Sequence, residues 1–398
     1  MKAIRPILVA TLLFLIVGNS GAVVTNGGKG SPHTRAAWVT ETGRLSVLTH
    51  TRFWGKVRET KSGTDNLTHA FTVWDVQGLV ALNYGLGKHF DLTLSPVAYQ
   101  DLNQGAFDSY PWDTFLALKI GSFGSKASSL KYGLELNARF PTGDAHNVMW
   151  EDYTAGKTEF GFTGLVSYAY DPLYPEDSFN MHLNVGYIHH NDVGQMLTDD
   201  KAFAAESQVL SPSQEGIYSL ALTIPTESFD YGLEWWGNVW LQRPPLAAAS
   251  RENYLYLDAN VTYKPYRWFS FFVSGDYRLS ADKDETIGPR RAPAGLPNYS
   301  TWRMNVGAKF VLLPTSIFHL KERDILMQKA QSRRELFEQI IKERRETESA
   351  EEELDRIKNE RRKAERELER LRKILEGQQQ TDENKKLEKM RPALTPPK

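Results

Sequence analysis

The chain has 398 residues, a formal net charge of −1 and no cysteine. This length suffices for one large domain with an appendage or for two ordinary domains. The near-zero charge gives no argument for a nucleic-acid partner, and the lack of cysteine excludes disulfides, thiolate metal ligands and cysteine nucleophiles. A mean hydropathy of −0.46 argues against a helical membrane protein. It leaves a β-barrel open, because alternate strand residues of a barrel face the lumen.

Residues 1–22 are predicted to be a secretory signal peptide. Lys2 and Arg5 form a basic start, residues 7–17 are apolar, and Ser20-Gly21-Ala22 offers a cleavage site. An uncleaved anchor is the alternative, but the apolar run is short of the roughly 20 residues that span a bilayer. Residues 23–43 are glycine-rich at their start and are expected to be a flexible N-terminal segment.

Residues 44–313 alternate between apolar and polar side chains. Leu134 and Leu136, for example, alternate with Glu135 and Asn137, which predicts strands with one apolar and one polar face. The runs extend to about eleven to fifteen residues, whereas strands of soluble sandwiches are typically about five or six. A bilayer requires tilted strands of about nine to eleven residues. About twelve runs are predicted, with ten or fourteen left open, at 44–57, 68–84, 89–100, 112–121, 129–141, 157–170, 178–190, 214–225, 229–241, 252–264, 267–280 and 300–313.

The links between these runs alternate in length. Even-to-odd links are mostly tight, and odd-to-even links are longer, notably 191–213 and 281–299. Outer-membrane barrels have even strand numbers, short periplasmic turns and long outer loops. Aromatic residues such as Tyr84 and Phe90 flank the tight turns, as expected at a membrane interface. The predicted fold is therefore an all-β transmembrane antiparallel up-and-down barrel in the outer membrane, in contact with outer-membrane lipid, followed by a long C-terminal α-helix.

The last run ends in a pattern of polar, glycine, aromatic and apolar residues at Asn305, Gly307, Phe310 and Leu312. This pattern resembles the terminal-strand signal of outer-membrane barrels. The resemblance implies that the barrel-assembly machinery is a partner during biogenesis. The chain departs from the usual pattern because a long tail follows the strand.

A second motif is Phe140-Pro141-Thr142-Gly143 at a strand end, with a weaker echo at Ile224-Pro225-Thr226. It resembles the outer-membrane barrel family named for a phenol-degradation pathway, whose members are often described as transporters. The resemblance covers scattered strands. It implies a transport role without naming a solute.

Residues 316–376 are rich in Glu, Arg, Lys and Leu and predict a helix in the periplasm. A heptad register gives a coiled-coil seam at Leu354, Ile357, Ala364, Leu368, Leu371 and Leu375. Three interpretations stay open, namely a self-associating coiled coil, a solitary helix stabilised by ion pairs, and a helix that binds another partner. Residues 377–398 are predicted to be a disordered tail.

No strong catalytic motif is present, so the chain is not expected to be an enzyme, and no cofactor or metal site is predicted. His189-His190-Asn191-Asp192 could suggest a metal ligand or a hydrolase base. It has no spaced partner ligand, and adjacent strand side chains point in opposite directions. A polar outer loop is favoured.

The polar strand faces predict a charged lumen. Its candidate residues are Arg52, Asp75, Lys119, Lys131, Glu135, Arg139, Glu234, Asp258, Asp276, Arg278, Arg303 and Lys309. They could pair across a small barrel and fill it, or line a narrow pore. The function predicted is a channel or transporter for a small solute, with the helix serving oligomerisation or tethering. The alternative is a sealed structural anchor that presents the helix to the cell wall or to a periplasmic partner.

Overall fold

Twelve antiparallel strands close into a barrel, because β1 pairs with both β2 and β12. The computed structural model describes residues 27–61, 68–102, 113–125, 128–293, 295–318 and 322–389. The signal peptide predicted at 1–22 lies outside these residues. The strands are β1 (Leu45–Lys61), β2 (Thr68–Gly87), β3 (Phe90–Leu102), β4 (Thr114–Phe123), β5 (Leu130–Phe140), β6 (Glu159–Ala169), β7 (Asn180–His189), β8 (Gln214–Pro225), β9 (Phe229–Gln242), β10 (Leu255–Tyr266), β11 (Phe269–Arg278) and β12 (Trp302–Leu313). This confirms the predicted barrel.

The alternation of side chains gives the barrel an apolar outside and a polar inside. On β5, Leu134 and Leu136 are 39% and 42% exposed, whereas Glu135 between them is 2% exposed. The same outer row continues around the barrel, for example at Phe162 and Val185. A closed barrel pairs its backbone groups from strand to strand, so such a wall can stand in lipid without an unpaired edge.

The two ends of the barrel differ in the length of their links. At one end, here called the turn end, the described links between strands include residues 88–89, 170–179, 226–228 and 267–268. The described links at the opposite end, here called the loop end, include residues 141–158, 190–213, 243–254 and 279–293 with 295–301. The chain enters β1 and leaves β12 at the turn end.

The terminal strand shows why a glycine is needed in the predicted assembly signal. Gly307 faces the lumen opposite Phe272, and a Cβ atom at Gly307 would lie 2.2 Å from Cε1 of Phe272. Only glycine therefore leaves room for that buried ring. Phe310 packs on Phe269 with ring centroids 4.9 Å apart, and Leu312 is exposed.

Two helices are described, α1 (Ala204–Ser207) and α2 (Glu322–Lys389). Helix α2 begins later than the predicted 316 and continues past the predicted 376 to Lys389. One glycine, Gly377, costs only about 1 kcal/mol in a helix, and most of the residues from 378 to 389 are helix formers such as Gln, Glu, Lys and Leu. None of the described helices combines the length and the apolar character that crossing a membrane requires.

The chain divides into two compact units at Ile325/Leu326, and nearly all of α2 belongs to the second unit. Its surface carries ion pairs between residues four apart, such as Arg361 with Glu365 at 2.9 Å. The side chain of Leu375 lies outside the described residues. The other predicted seam residues are all exposed, namely Leu354, Ile357, Ala364, Leu368 and Leu371.

Candidate functional site

The interior of the barrel is the candidate site. The structure places the twelve predicted lumen residues on the buried side of the wall. Some pair within the wall or with nearby loops, as Arg139 does with Asp113 at 2.7 Å and Arg278 with Asp282 at 3.1 Å. Lys119 lies 3.9 Å from Asp91. The others contact two parts of the chain that enter the lumen from opposite ends.

Residues 27–43, here called the N-terminal segment, enter the lumen from the turn end. The backbone N–H of Thr40 donates to Asp91 Oδ2 at 2.8 Å, and that of Ala37 donates to Ser167 Oγ at 2.8 Å. Lys309 Nζ donates to the carbonyl of Gly28 at 3.0 Å. The segment is thus bound to the inner wall, which differs from the flexible segment expected from sequence.

A tight turn at Ser31–Thr34 forms the innermost part of the N-terminal segment. The N–H of Ser31 donates to the carbonyl of Thr34 at 2.8 Å, and an isolated bridge joins Gly30 to Arg35. From this turn, Arg35 Nε pairs with Glu135 Oε1 at 2.8 Å, and His33 Nε2 lies 2.9 Å from Asp276 Oδ1. The turn therefore contacts two opposite parts of the wall, β5 and β11.

Residues 141–158, here called the inserted loop, enter from the loop end. Glu151 pairs with Arg52, which also lies 3.2 Å from Asp75 Oδ2. Gln100 Nε2 donates to Asp75 and to Glu151, each at 2.9 Å. Trp150 is 1% exposed and packs on Trp54 with ring centroids 5.3 Å apart. The inserted loop is therefore anchored by both charged and aromatic contacts.

His190, which follows β7, lies at the loop end between two carboxylates. Its Nδ1 is 3.2 Å from Glu159 Oε1 and its Nε2 is 3.4 Å from Glu215 Oε2. Burial alone would lower the pKa of His190, but the hydrogen bonding and charge of these two carboxylates outweigh burial and raise the pKa to about 9. Asp192 is buried too and accepts from the Tyr153 hydroxyl at 2.8 Å. The favoured polar outer loop is thus replaced here by a buried ionic network.

Among the cavities that the described residues form inside the barrel, two have volumes of about 230 Å³ and about 140 Å³. Arg35 and Tyr254 line both of them. The larger cavity is also lined by Tyr153 of the inserted loop and by charged wall residues, namely Lys119, Glu135, Arg139, Glu159 and Glu215. Both cavities thus lie against the N-terminal segment, and the larger one offers groups of both charge signs.

The sequence does not predict the residues that enter the lumen, above all His33, Arg35 and Glu151. Their strand partners were on the predicted lumen face, but nothing in the sequence paired them. A weak signal was available at Ala36-Ala37-Trp38-Val39. This apolar run is out of place in a flexible segment and is buried in the structure.

A closed antiparallel barrel with an apolar outer row and a polar inner row defines a transmembrane β-barrel of the outer-membrane type. No family model and no curated protein matches the chain. The chain is similar in fold to an outer-membrane channel from Pseudomonas putida F1, with 11% identity, a TM-score of 0.45, and coverage of 71% of this chain and 100% of that one.

Two further solved structures are similar in the same general way. The NanC porin has 12% identity and a TM-score of 0.42, with coverage of 67% of this chain and 98% of that one. A Pseudomonas aeruginosa FadL homologue has 11% identity and a TM-score of 0.34, with coverage of 74% and 98%. At these values, the function has to be argued from the interior of this barrel itself.

Proposed function

We propose that this protein is an outer-membrane channel for a small polar solute, which the N-terminal segment and the inserted loop hold closed in the described conformation. The observation that carries the proposal is the larger cavity, which lies between these two elements and is lined by groups of both charge signs. A barrel whose only task was to anchor the helix would have no need of such an interior cavity.

The proposed path leads past the N-terminal segment, because the tip of that segment lies in the middle of the lumen. Arg35 is central among the contacts there, since it pairs with Glu135 and lines both cavities. Loss of this pair would loosen the tip and widen the path between the cavities and the turn end. The solute would then meet a lumen with charges of both signs, which suits polar over apolar compounds.

The proposal includes the orientation of the chain. Both the N-terminal segment and the end of β12, which precedes α2 in the chain, lie at the turn end, and short turns are periplasmic in outer-membrane barrels. We therefore place α2 in the periplasm, where it is proposed to oligomerise or to tether the barrel. A cleaved signal peptide at residues 1–22 would deliver the chain there.

A sealed structural anchor is the second candidate, and the observation that favours it is the occupation of the lumen from both ends.

Single-channel recording on three proteins separates the two candidates. The full-length chain is expected to show rare openings, and Arg35→Ala is expected to open more often. Lys88→Ala is the matched control, because it removes one positive charge from an exposed turn at the same end and is expected to behave like the wild type. Folded barrels that conduct in none of the three forms would establish the anchor.

A further inference from the structure

His33 brings an imidazole from the N-terminal segment to two carboxylates of the barrel wall. Each of three residues contributes one possible ligand atom, and these atoms lie within 4.8 Å of one another. The residues are His33, Asp258 on β10 and Asp276 on β11. The three groups therefore converge on one point although they come from widely separated parts of the chain. An imidazole nitrogen and carboxylate oxygens at this spacing are a common set of ligands for a metal ion.

The donor atoms at this point are not all used by protein partners. Asp258 is fully buried, and its Oδ1 accepts from Asn260 Nδ2 at 2.8 Å. Its Oδ2 has no well-formed hydrogen bond among the described residues, although the hydroxyl of Ser274 is close to the carboxyl. His33 Nε2 likewise has no hydrogen bond of good geometry. A buried carboxylate oxygen without a partner is costly, which is an independent sign of a missing ligand.

The surrounding residues hold the ligands in place. Asp276 accepts from Trp236 Nε1 at 3.0 Å and from Asn305 Nδ2 at 2.9 Å. The imidazole of His33 stacks on the indole of Trp236, with ring centroids 4.2 Å apart. Hydrogen bonds and packing of this kind orient the ligands of known metal sites and are nearly as important as the ligands themselves.

The charges of the buried carboxylates around His33 also favour a bound cation. Glu234 is a third buried carboxylate nearby, which accepts from the His33 backbone N–H at 3.0 Å and from Asn260 at 3.0 Å. Among the described residues, the one ion pair that these three carboxylates form is that of Asp276 with His33, and the buried Arg303 acts on Asp276 from a greater distance. These two cations do not balance three ionised carboxylates, and a divalent ion would neutralise the excess.

We propose that His33, Asp258 and Asp276 bind a divalent transition-metal ion of the Zn²⁺ type, which fastens the N-terminal segment to the barrel wall. The imidazole ligand argues against Ca²⁺ and Mg²⁺, since these ions prefer oxygen ligands alone. Glu234 or water would complete the coordination. The competing explanation is a simple His33–Asp276 ion pair, which leaves Asp258 Oδ2 without a partner.

The test is a Zn²⁺ titration by calorimetry on the full-length barrel in detergent, without a histidine tag and after chelator treatment. The wild type is expected to bind one Zn²⁺. His33→Ala and Asp258→Asn are each expected to weaken binding at least about 10- to 100-fold. Heat-modifiable gel mobility confirms that each variant is folded, and His33→Ala changes no strand residue.

The matched control is His182→Gln. His182 is also a buried lumen histidine that contacts the N-terminal segment, through Trp38 at a ring-centroid distance of 5.1 Å, but it pairs with Ser167 at 2.8 Å. Binding in this variant is expected to match the wild type. Co²⁺ supplies a second readout, because its visible spectrum reports coordination, and this spectrum should vanish in His33→Ala.

Folded wild type that binds neither Zn²⁺ nor Co²⁺ would overturn the proposal and leave the simple ion pair. Equal Zn²⁺ affinity in the wild type, His33→Ala and Asp258→Asn would overturn it as well. These measurements use no conductance. Failure of the metal site and failure of the channel proposal can therefore be told apart.

Discussion

The barrel and helix α2 use the same charged residue types in opposite ways. Arg52 in the barrel is 11% exposed at its side chain and joins Asp75 of a neighbouring strand to Glu151 of the inserted loop. Arg361 on α2 is 79% exposed and pairs with Glu365 one turn away. The first arrangement fixes parts of the chain that are far apart in sequence. The second only supports a local helix, and water can replace it.

The largest effect is expected from removing a buried charge of the barrel. Arg52→Met leaves Asp75 and Glu151 as uncompensated buried charges, so the free energy of unfolding should fall by about 3–5 kcal/mol. Arg361→Met is the control and should cost only about 0.3–0.5 kcal/mol. Urea unfolding of both variants in detergent measures the difference. Equal costs would show that the lumen is as well solvated as the helix surface.

The next effect concerns the outer row. Leu134→Arg would place a charge in the lipid-facing wall and is expected to cost about 2–4 kcal/mol. A polar substitution at Asn137, on the inner face of the same strand, is expected to cost much less. Equilibrium unfolding in lipid vesicles gives both values. If the two positions respond alike, the wall does not face lipid.

A smaller effect is expected where a buried ring packs closely on a glycine of the wall. Gly307→Ala would push a methyl group into Phe272, and such overpacking typically costs about 1–3 kcal/mol. Gly275 on the neighbouring strand β11 has nothing within 4 Å of an added Cβ, so Gly275→Ala is the matched control. Comparable unfolding curves for the two variants would contradict the close contact at Gly307.

The next expected effect is the pH dependence of stability at the loop end. Because the folded-state pKa of His190 is raised to about 9, its charge stabilises the fold fully below the unfolded pKa of about 6.5. That contribution is lost as pH rises from about 6.5 through 9. The groups facing His190 are Glu159 and Glu215, and the rings of Tyr153 and Trp240.

Unfolding measured between pH 6 and 10 on the wild type and on His190→Gln tests this. The variant should show a flatter profile in the window from 6.5 to 9. A wild-type profile that loses stability only below pH 6 would have the wrong sign for this cluster.

The strand faces of the barrel could be predicted from the sequence, whereas the contents of the lumen could not. The strands of the barrel repeat one rule, apolar outside and polar inside, so β5 and β12 could be predicted with their faces. The contents of the lumen follow no such rule. His33 and Asp276, for instance, meet only because a turn of the N-terminal segment reaches across the barrel. Helix α2 continues beyond its predicted end at residue 376 because a single glycine, Gly377, weakens a helix by little.

Changes in helix α2 are expected to have the smallest effect on the stability of the barrel. The prediction for α2 concerns the association of the protein. The described seam residues of α2, Leu354 and Leu368 among them, are 53% and 67% exposed. An isolated helix gains little from surface ion pairs of a few tenths of a kcal/mol each. We therefore expect the exposed leucines to pack against a partner, with the association centred on residues 354–375.

Truncation after Leu313 should leave a folded barrel, because the twelve strands already pair in a closed ring. The oligomeric mass of the protein, or its capture of a periplasmic partner, should fall. Replacing Leu368 and Leu371 together by Lys should reproduce that loss without affecting membrane insertion. The control is the double replacement of Glu367 and Arg370 by Lys and Glu, which lie off the seam and keep the net charge. Mass measurements in detergent compare the four proteins. If all four have the same mass and the same partners, the coiled-coil interpretation fails, and α2 is a solitary helix supported by its ion pairs.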